Sequence, residues 1–215
     1  REMLSTHRSL PNGFTEDMIL KAPSRDVMNK LARSTLALYS YDPDPENTAL
    51  DAELFRAVQL IARYPVIVAH AFACKRHYYD NESLYLHRPQ EGLSVAENFL
   101  YSVRHDNRFT AAEARLLDLC LVLHMEHGGG NNSAFTCRVL SSTGTDIYSA
   151  VAAAVGSLKG PKHGGANKKV MEMFGYIKEN VSDWKDDDEV SAFLEALLRR
   201  EAGDRSGLIY GMGHA

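Results

Sequence analysis

Apolar residues recur every three or four positions over most of this 215-residue chain, which is the spacing of an amphipathic α-helix. The clearest examples are the stretches 26–41, 49–77 and 110–126, which are rich in leucine, valine and isoleucine at this spacing. Strands are predicted where apolar and polar residues alternate, and no such alternation extends over a useful length. The pattern therefore predicts an all-α fold of roughly ten helices.

Residues with special backbone preferences set the expected helix boundaries. Thr110 and Glu113 have the spacing of a capping box, which predicts a helix start. Ser24 is the expected cap of the helix at 26–41. Pro65 lies inside the long stretch and is expected to kink or split it, because proline removes a helical hydrogen bond.

Four further helices are expected in the C-terminal half, at 133–142, 146–158, about 164–179 and 187–200. The second contains the small-residue run 150–156, which lets another helix approach closely. That run predicts either a deeply buried helix or a subunit interface, and both remain open. The acidic run 186–189 is expected to be a solvated helix start, because carboxylates favour the positive end of the helix dipole.

Composition and charge narrow the classes of partner. Hydrophobic residues make up 45% of the chain and charged residues 24%, which is ordinary for a globular protein with a core. The net charge of −4 gives no basic field for nucleic acid or an anionic membrane, and no apolar run approaches a membrane span. The three cysteines form no Cys-x-x-Cys pair, so we expect buried free thiols in a reducing cytoplasm.

Three histidines stand beside glycine-rich breaks rather than on helix faces: His127, His163 and His214. Glycine lets a ligand approach the backbone, and a helix N-terminus offers N–H groups to an anion. A histidine there can donate a hydrogen bond to a carbonyl or transfer a proton near neutral pH. These features suggest an anionic, carbonyl-bearing small molecule, although a single histidine at a turn is more commonly a surface or capping residue.

Two other kinds of site fit less well. His124 and His127 could share a helix face as metal ligands, but their spacing is not that of the His-Glu-x-x-His zinc motif, and no Cys or Asp cluster lies nearby in sequence. We therefore expect no metal site. The glycines at 160–165 match neither the P-loop nor the dinucleotide-binding pattern, and no predicted strand precedes them.

Several segments stand in a specific order along the chain. The first is His124-Met-Glu-His-Gly-Gly-Gly-Asn-Asn-Ser133, and the second joins 141–146 and the small-residue helix to Gly160-Pro-Lys-His-Gly-Gly-Ala-Asn167. The third is Tyr210-Gly-Met-Gly-His-Ala215. Together with the front region 17–43, they resemble the citrate synthase family over essentially the whole chain.

The resemblance implies a multi-helical, citrate-synthase-like fold with a large and a small domain and an active site in the cleft between them. By this likeness, residues 1–163 are part of the large domain and residues 164–215 are the first half of the small domain. The family also implies a homodimer, in which the helices around 133–158 pack across the two-fold axis. A dimer favours the interface interpretation of the small-residue run.

The implied reaction is a Claisen-type condensation of acetyl-CoA with oxaloacetate, followed by thioester hydrolysis, with no further cofactor. His163 would stabilise the enol or enolate of the acetyl thioester, and His214 would polarise the attacked carbonyl. The resemblance implies that oxaloacetate is bound by His127, Asn131 and Gly164. It also implies that six residues place their backbone near the CoA adenine: Leu208, Ile209, Tyr210, Gly211, Met212 and Gly213.

The chain departs from the family at its two ends. The family's catalytic aspartate and oxaloacetate-binding arginines lie downstream of the third histidine, whereas this chain ends at Ala215 and begins at Arg1 instead of methionine. We expect an internal piece of a citrate synthase that lacks the catalytic aspartate and does not turn over alone. Alternatives are a 2-methylcitrate synthase using propionyl-CoA, a relative that runs the cleavage direction, and a non-catalytic helical module of the same fold.

Overall fold

The computed structural model describes residues 2–126 and 128–212, and within these ranges it contains helices and no strand. It divides into two compact units, Arg1–Leu158 and Lys159–Ala215. The α-helices are α1 (Glu2–Thr6), α2 (Val27–Ala37), α3 (Leu50–Asp80), α4 (Val95–Val103), α5 (Ala111–Leu123), α6 (Asn132–Ser141), α7 (Ile147–Lys159), α8 (Ala166–Asn180) and α9 (Asp187–Leu198). A π-helix (Thr15–Leu20) precedes α2, and a 3-10 helix (Leu38–Tyr41) follows it. The all-α prediction is confirmed.

Helix starts follow capping chemistry that is local in sequence. The N–H of Glu113 donates to the Thr110 hydroxyl at 3.2 Å, and the N–H of Thr110 donates to the Glu113 carboxylate at 2.7 Å, so the predicted capping box is confirmed. The predicted cap of α2 is wrong. Asp26 is the N-cap, and its carboxylate accepts from the N–H of Asn29 at 2.8 Å. Ser24 lies too early to reach that group and accepts from the N–H of Asp26 instead.

The long helix α3 is central to the first unit, where it contacts α1, α2, α4 and the π-helix. It runs without interruption through Pro65, so the expected split is wrong. Packing on several sides holds the helix together, although proline cannot donate one of its hydrogen bonds. Against the expectation from sequence, α3 is long and apolar enough to pass for a membrane span by length and composition. Ile67 and Cys74 of α3 lie in the protein core, which is the setting of a core helix.

The core of the first unit lies where α3 meets the π-helix, α2 and α7. Its most deeply buried hydrophobic residues are Phe14, Ile19, Leu38, Ile67, Cys74 and Tyr148. Ala150 and Val155, from the small-residue run of α7, are also buried. Part of this helix is therefore buried within its own unit, which is one of the two interpretations that the sequence left open.

A buried amine joins α2 to the π-helix. Lys30 is 1% exposed, and its ammonium group donates to the carbonyl oxygens of Met18, at 2.9 Å, and Ala22. These carbonyls lie in and just after the last turn of the π-helix, where C=O groups lack helical partners. Burial lowers the pKa of Lys30 to about 8, because a poorly solvated environment disfavours the charged form.

One face of α5 is apolar and exposed, and the expectation of buried thiols is met only in part. All three cysteines are free, as expected, but only Cys74 is buried and Cys120 of α5 is exposed. Four large apolar residues of α5 are at least half exposed: Leu116, Leu119, Val122 and Leu123. Apolar periodicity shows that a helix has a face suited to burial, and it does not show which chain covers that face.

A largely buried ion pair, with side chains 6% and 10% exposed, ties the loop after the 3-10 helix to α3 and α7. The Nε of Arg56 donates to Oδ2 of Asp42 at 2.7 Å, and the hydroxyl of Tyr148 donates to the same oxygen at 2.7 Å. Arg56 also donates to the carbonyl oxygens of Asn47, at 2.5 Å, and Asp44. Burial alone would raise the pKa of Asp42, but the hydrogen bonds from Arg56, the N–H of Asp44 and Tyr148 hold it below its usual value.

The second unit is built on α8 and α9, which contact each other. Its buried apolar cluster consists of Met173, Ile177, Val181 and Leu197. Helix α9 begins at the N-cap Asp186, whose carboxylate accepts from the N–H groups of Asp188, at 3.0 Å, and Glu189, at 3.3 Å. The solvated helix start expected at 186–189 is confirmed. The domain boundary at 163/164 stays a prediction.

We expect Arg56→Met to lower the free energy of unfolding by about 3 kcal/mol at neutral pH, because it leaves the Asp42 carboxylate buried without its cation. Tyr148→Phe removes one hydrogen bond to the same oxygen and should cost about 1 kcal/mol. Arg115 is exposed on α5, so Arg115→Met is a matched control that should stay within about 0.5 kcal/mol of wild type. Urea unfolding followed by circular dichroism gives all three values.

The stability difference between wild type and Arg56→Met should depend on pH. The pKa of Asp42 is lower in the folded than in the unfolded chain, so the contribution of the pair is complete above the ordinary value of 3.8 and is lost as the pH falls below it. The stability difference between wild type and Arg56→Met should therefore shrink on acidification below about pH 4. A difference that stays constant down to about pH 2 would contradict an ionised, paired Asp42.

Candidate active site

His163 lies in a tight turn that separates α7 from α8. The N–H groups of His163 and Gly164 both donate to the carbonyl oxygen of Gly160, at 2.9 and 3.1 Å. The imidazole is half-buried. The turn therefore places the His163 side chain immediately before the N-terminus of α8, which begins at Ala166.

The turn requires a glycine at position 165 for steric reasons. A Cβ atom on Gly165 would lie 2.5 Å from the carbonyl oxygen of Pro161 and 3.0 Å from its Cα atom. Contacts this short with backbone atoms cannot be relieved by moving a flexible side chain. Gly165 is also the N-cap of α8, and its carbonyl accepts from the N–H of Lys169 at 3.1 Å. The second glycine of the Gly-Gly pair in the motif is thus explained by close backbone packing.

The segment around the first predicted histidine belongs to the first unit. His127 itself lies outside the described residues. His124 is the C-cap of α5, and its Nδ1 lies 2.7 Å from the carbonyl oxygen of Cys120. Gly128 has a φ of +71°, which favours glycine, and its carbonyl accepts from the N–H of Asn131 at 3.3 Å. Residues 128–131 therefore form a turn that leads into α6.

Asn131 has a structural role that the sequence analysis did not assign. Its side-chain oxygen accepts from the N–H groups of Ser133, at 2.9 Å, and Ala134, at 3.2 Å, so it is the N-cap of α6. Asparagine is among the preferred N-caps because its short side chain reaches these groups. The predicted binding of oxaloacetate by Asn131 stays a prediction, as does that of Gly164.

The predicted CoA-binding segment packs against α8 in the second unit. Ile209 and Tyr210 contact the buried cluster of that unit, whereas Leu208 and Met212 are 56% and 78% exposed. Gly211 has a φ of +87°, and a Cβ atom there would lie 3.1 Å from Cγ2 of Val170. The segment thus has an inner and an outer side. Gly213 and His214 lie outside the described residues.

A polar cluster behind this segment was not found from the sequence. Oδ2 of Asp204 accepts from the hydroxyl of Tyr210 at 2.7 Å and from Nζ of Lys169 at 3.3 Å. Lys169 and Asp204 are 35 positions apart in the chain and belong to no motif. No sequence signal could have paired them, since charged residues at a helix surface are ordinary.

The structure brings two of the predicted elements, the His163 turn and the 208–212 segment, onto α8 of one unit. The segment that contains Asn131 belongs to the other unit. Among the described residues, no three His, Cys, Asp or Glu side chains are grouped so that they could hold a metal ion.

The family comparison decides the identity of the fold. A family model described as the C-terminal domain of citrate synthase matches residues 1–215. The chain belongs to the citrate synthase family. The resemblance inferred from the motifs is therefore confirmed.

Curated citrate synthases are similar to this chain over most of its length. The citrate synthase of Deinococcus radiodurans is 34% identical over 214 residues, which cover 98% of this chain and 51% of that protein. The citrate synthase of Synechocystis is 43% identical over 182 residues, which cover 83% and 43%. The 2-methylcitrate synthase 1 of Corynebacterium glutamicum is 33% identical over 218 residues, which cover 97% and 51%. The chain spans about half the length of these relatives.

Solved structures show the same fold. Citrate synthase from Pyrobaculum aerophilum matches 99% of this chain with a TM-score of 0.77 at 29% identity. Citrate synthase from Thermotoga maritima matches 99% with a TM-score of 0.70 at 26% identity. In both cases the match covers 50% of the solved chain. The predicted citrate-synthase-like fold is confirmed.

The turn around His163 can be tested with two glycine substitutions. We expect Gly165→Ala to destabilise the protein by about 2 kcal/mol or more, because the new Cβ would overlap the backbone of Pro161. Gly175 lies within α8, and a Cβ there would meet nothing within 4 Å. Gly175→Ala is the matched control and should stabilise the protein by about 0.5–1 kcal/mol, since alanine favours a helix. The single tryptophan, Trp184, reports on unfolding of this unit by fluorescence.

Equal effects of the two substitutions would show that the short Gly165–Pro161 approach is not a constraint on this turn. A stabilising Gly165→Ala would show the same.

Proposed function

We propose that the protein to which this chain belongs condenses acetyl-CoA with oxaloacetate to give citrate and CoA. The observation that supports this most directly is the His163 turn, which sets a half-buried imidazole immediately before the N-terminus of α8. Membership of the citrate synthase family gives that turn its chemical meaning. A cytoplasmic location and the absence of a further cofactor stay predictions.

The proposed role of His163 is to donate a hydrogen bond to the thioester oxygen of acetyl-CoA. Loss of a proton from the acetyl methyl group places negative charge on that oxygen, and a donor already in place stabilises it. A neutral imidazole suits the task, because its weak acidity is close to that of an enol. The Gly165–Pro161 contact serves this role, since it leaves the backbone beside His163 little freedom to move.

The other proposed roles follow the family resemblance. His214 would polarise the oxaloacetate carbonyl that the enolate carbon attacks, and His127 would bind oxaloacetate. Asn131 and the backbone at Gly164 would also bind oxaloacetate. The 208–213 segment would receive the CoA adenine, and Leu208 and Met212 expose apolar surface suited to this. Water then cleaves the citryl thioester and releases CoA.

We further propose that the reaction needs groups beyond these 215 residues. The chain spans about half the length of its citrate synthase relatives, and the family's proton-abstracting aspartate follows the third histidine. The 215-residue chain alone would then fold without turning over.

A 2-methylcitrate synthase is the second candidate, and a specific observation favours keeping it. Two such enzymes of Corynebacterium glutamicum are 33% and 31% identical to this chain, each over 97% of its length. Their substrate propionyl-CoA, by the family resemblance, differs from acetyl-CoA by one methylene group. One methylene group changes the binding free energy in an apolar pocket by only about 1–3 kcal/mol. Similar sites can therefore prefer different acyl-CoA substrates.

The first test is CoA-thiol release from acetyl-CoA plus oxaloacetate, measured on the 215-residue chain and on the longest polypeptide that its gene encodes. We expect activity only in the longer form. His163→Asn in that form should lower kcat about 10²–10³-fold, because one oxyanion donor is lost. His105 is exposed in the first unit, so His105→Asn is the matched control and should leave kcat unchanged.

Turnover by the 215-residue chain would contradict the proposed need for further groups. A higher kcat/KM for propionyl-CoA than for acetyl-CoA would move the assignment to 2-methylcitrate synthase. Oxaloacetate binding without release of CoA from either thioester would indicate a non-catalytic module.

We also propose that the protein is a homodimer formed through the helices around 133–158. Phe135 and Val139 of α6 are 60% and 47% exposed, and the exposed apolar face of α5 precedes them in the chain. Large apolar residues exposed on two successive helices suggest an interaction surface. A second copy is the proposed occupant, because the family resemblance implies a two-fold axis at this point and a symmetric face can cover itself.

We expect Phe135→Glu to shift the longest polypeptide from dimer to monomer in analytical ultracentrifugation, since it would bury a charge in the interface. Phe174 is 41% exposed on α8 of the other unit, so Phe174→Glu is the matched control and should leave the dimer intact. A monomeric wild-type protein, or a dimer that persists in Phe135→Glu, would contradict this interface.

A further inference from the structure

We propose that Lys169 and Asp204 are positioning residues that fix the 208–212 segment on α8 and thereby set how it receives the nucleotide end of CoA. The proposal rests on the proposed synthase function, which assigns CoA to this segment. Lys169 and Asp204 are not among the residues that the family resemblance assigns to the site. They would act through Tyr210 without touching substrate.

Three donors converge on the Asp204 carboxylate. Oδ2 accepts from the Tyr210 hydroxyl at 2.7 Å and from Lys169 Nζ at 3.3 Å, and Oδ1 accepts from the N–H of Ser206 at 3.1 Å. Lys169 Nζ also lies 5.7 Å from the centroid of the Tyr210 ring, within the range of a cation–π contact. The Tyr210 side chain is therefore held at its hydroxyl and at its ring face by the same two residues.

Apolar contacts hold the same segment from its inner side. Ile209 and Tyr210 pack against the buried cluster of α8 and α9. Gly211 brings its backbone close to Val170, the residue after Lys169. Leu208 and Met212 are left facing solvent, so they form an apolar outer side on which a planar base could stack. Rotation of Tyr210 would reorient this outer side.

The position of Lys169 on α8 connects the two ends of the proposed thioester site. Lys169 lies in the first turn of α8, whose N-cap accepts from its backbone N–H. His163 lies in the turn immediately before that helix. The N-terminal end of α8 thus lies between His163, proposed for the acetyl end, and the Lys169–Asp204 pair, here called the anchor, which holds the segment proposed for the nucleotide end. A loosened anchor should weaken acetyl-CoA binding more than oxaloacetate binding.

The charges of this anchor persist across the neutral pH range. The hydrogen bonds from Tyr210 and Ser206, and then the bond from Lys169, hold the pKa of Asp204 well below its usual value. Hydrogen bonds to Glu172 and Asp204 raise the pKa of Lys169. Both groups stay ionised near pH 7, so the anchor needs no change of protonation to form.

The test uses Asp204→Ala and Lys169→Met in the longest polypeptide that the gene encodes. We expect each to raise the KM for acetyl-CoA about three- to tenfold, the size of one or two lost hydrogen bonds, and to leave the KM for oxaloacetate unchanged. Amide hydrogen exchange of residues 206–212 should become faster in both. Lys168 is the matched control, because its ammonium lies 3.8 Å from Glu172 and no hydrogen bond from it to Asp204 is present. Lys168→Met should change neither quantity.

Two further variants separate positioning from direct contact with CoA. The double variant should be no worse than the poorer single variant, since both substitutions break one network. Lys169→Arg keeps the cation and should restore most of the acetyl-CoA affinity and the slow exchange. If Lys169 touched CoA itself, Lys169→Met alone would raise the KM, and Asp204→Ala would not, which would overturn the proposal.

Failure of this inference and failure of the proposed function give different results. The wild-type protein could be active while Asp204→Ala and Lys169→Met show the same KM for acetyl-CoA and the same amide exchange as the control Lys168→Met. That result overturns the anchor alone. A wild-type protein that binds CoA without catalysis overturns the proposed function. The Kd for CoA then replaces the KM, and its rise in the two variants still supports the anchor. A wild-type protein that does not bind CoA overturns both.

Discussion

The backbone of Pro161 leaves no space for a side chain on residue 165, and the start of α8 depends on that contact. With glycine at this position, the chain can close a turn on the carbonyl of Gly160 and enter α8 at once. The direction of α8 is then set relative to His163 by packed backbone atoms. Catalysis that depends on a hydrogen bond to a developing oxyanion needs such fixed geometry, since small misplacements lose much of the effect.

Helix α8 also contacts the buried cluster and the 208–212 segment of the second unit. Its first two turns carry Lys169 and Val170, and its middle carries Met173 and Ile177 of the buried cluster. The 208–212 segment contacts α8 in three ways. Tyr210 lies beside the Lys169 cation, Gly211 approaches Val170 closely, and Ile209 packs against the buried apolar cluster. The first unit uses a comparable arrangement around α3, where Arg56 and Tyr148 meet at one carboxylate of Asp42. In each unit, one helix fixes a loop by charge and by packing together.

Sequence reasoning succeeded where the determining contacts are local and failed where they are distant. The capping box at Thr110 and the acidic start of α9 were predictable, because the partners lie three residues apart or closer. Continuity of α3 through Pro65 depends on helices packed around it, which no local pattern reports. Asn131 was noticed for its motif, but its capping role was not, and the Lys169–Asp204 pair joins residues that only the folded chain brings together. The exposed α5 face shows that periodicity cannot name the chain that covers it.

Lys30 gives the first unit an internal reporter. An amine with a lowered pKa is partly unprotonated at mildly alkaline pH and would react readily with an acylating reagent if the reagent could reach it. In the closed structure it is enclosed between α2 and the π-helix, and its hydrogen bonds to Met18 and Ala22 occupy it. Its labelling rate, compared with those of solvent-facing lysines, would therefore measure how often the unit opens while most of the molecule stays folded. A buried amine thus becomes a probe of the internal motions of the first unit.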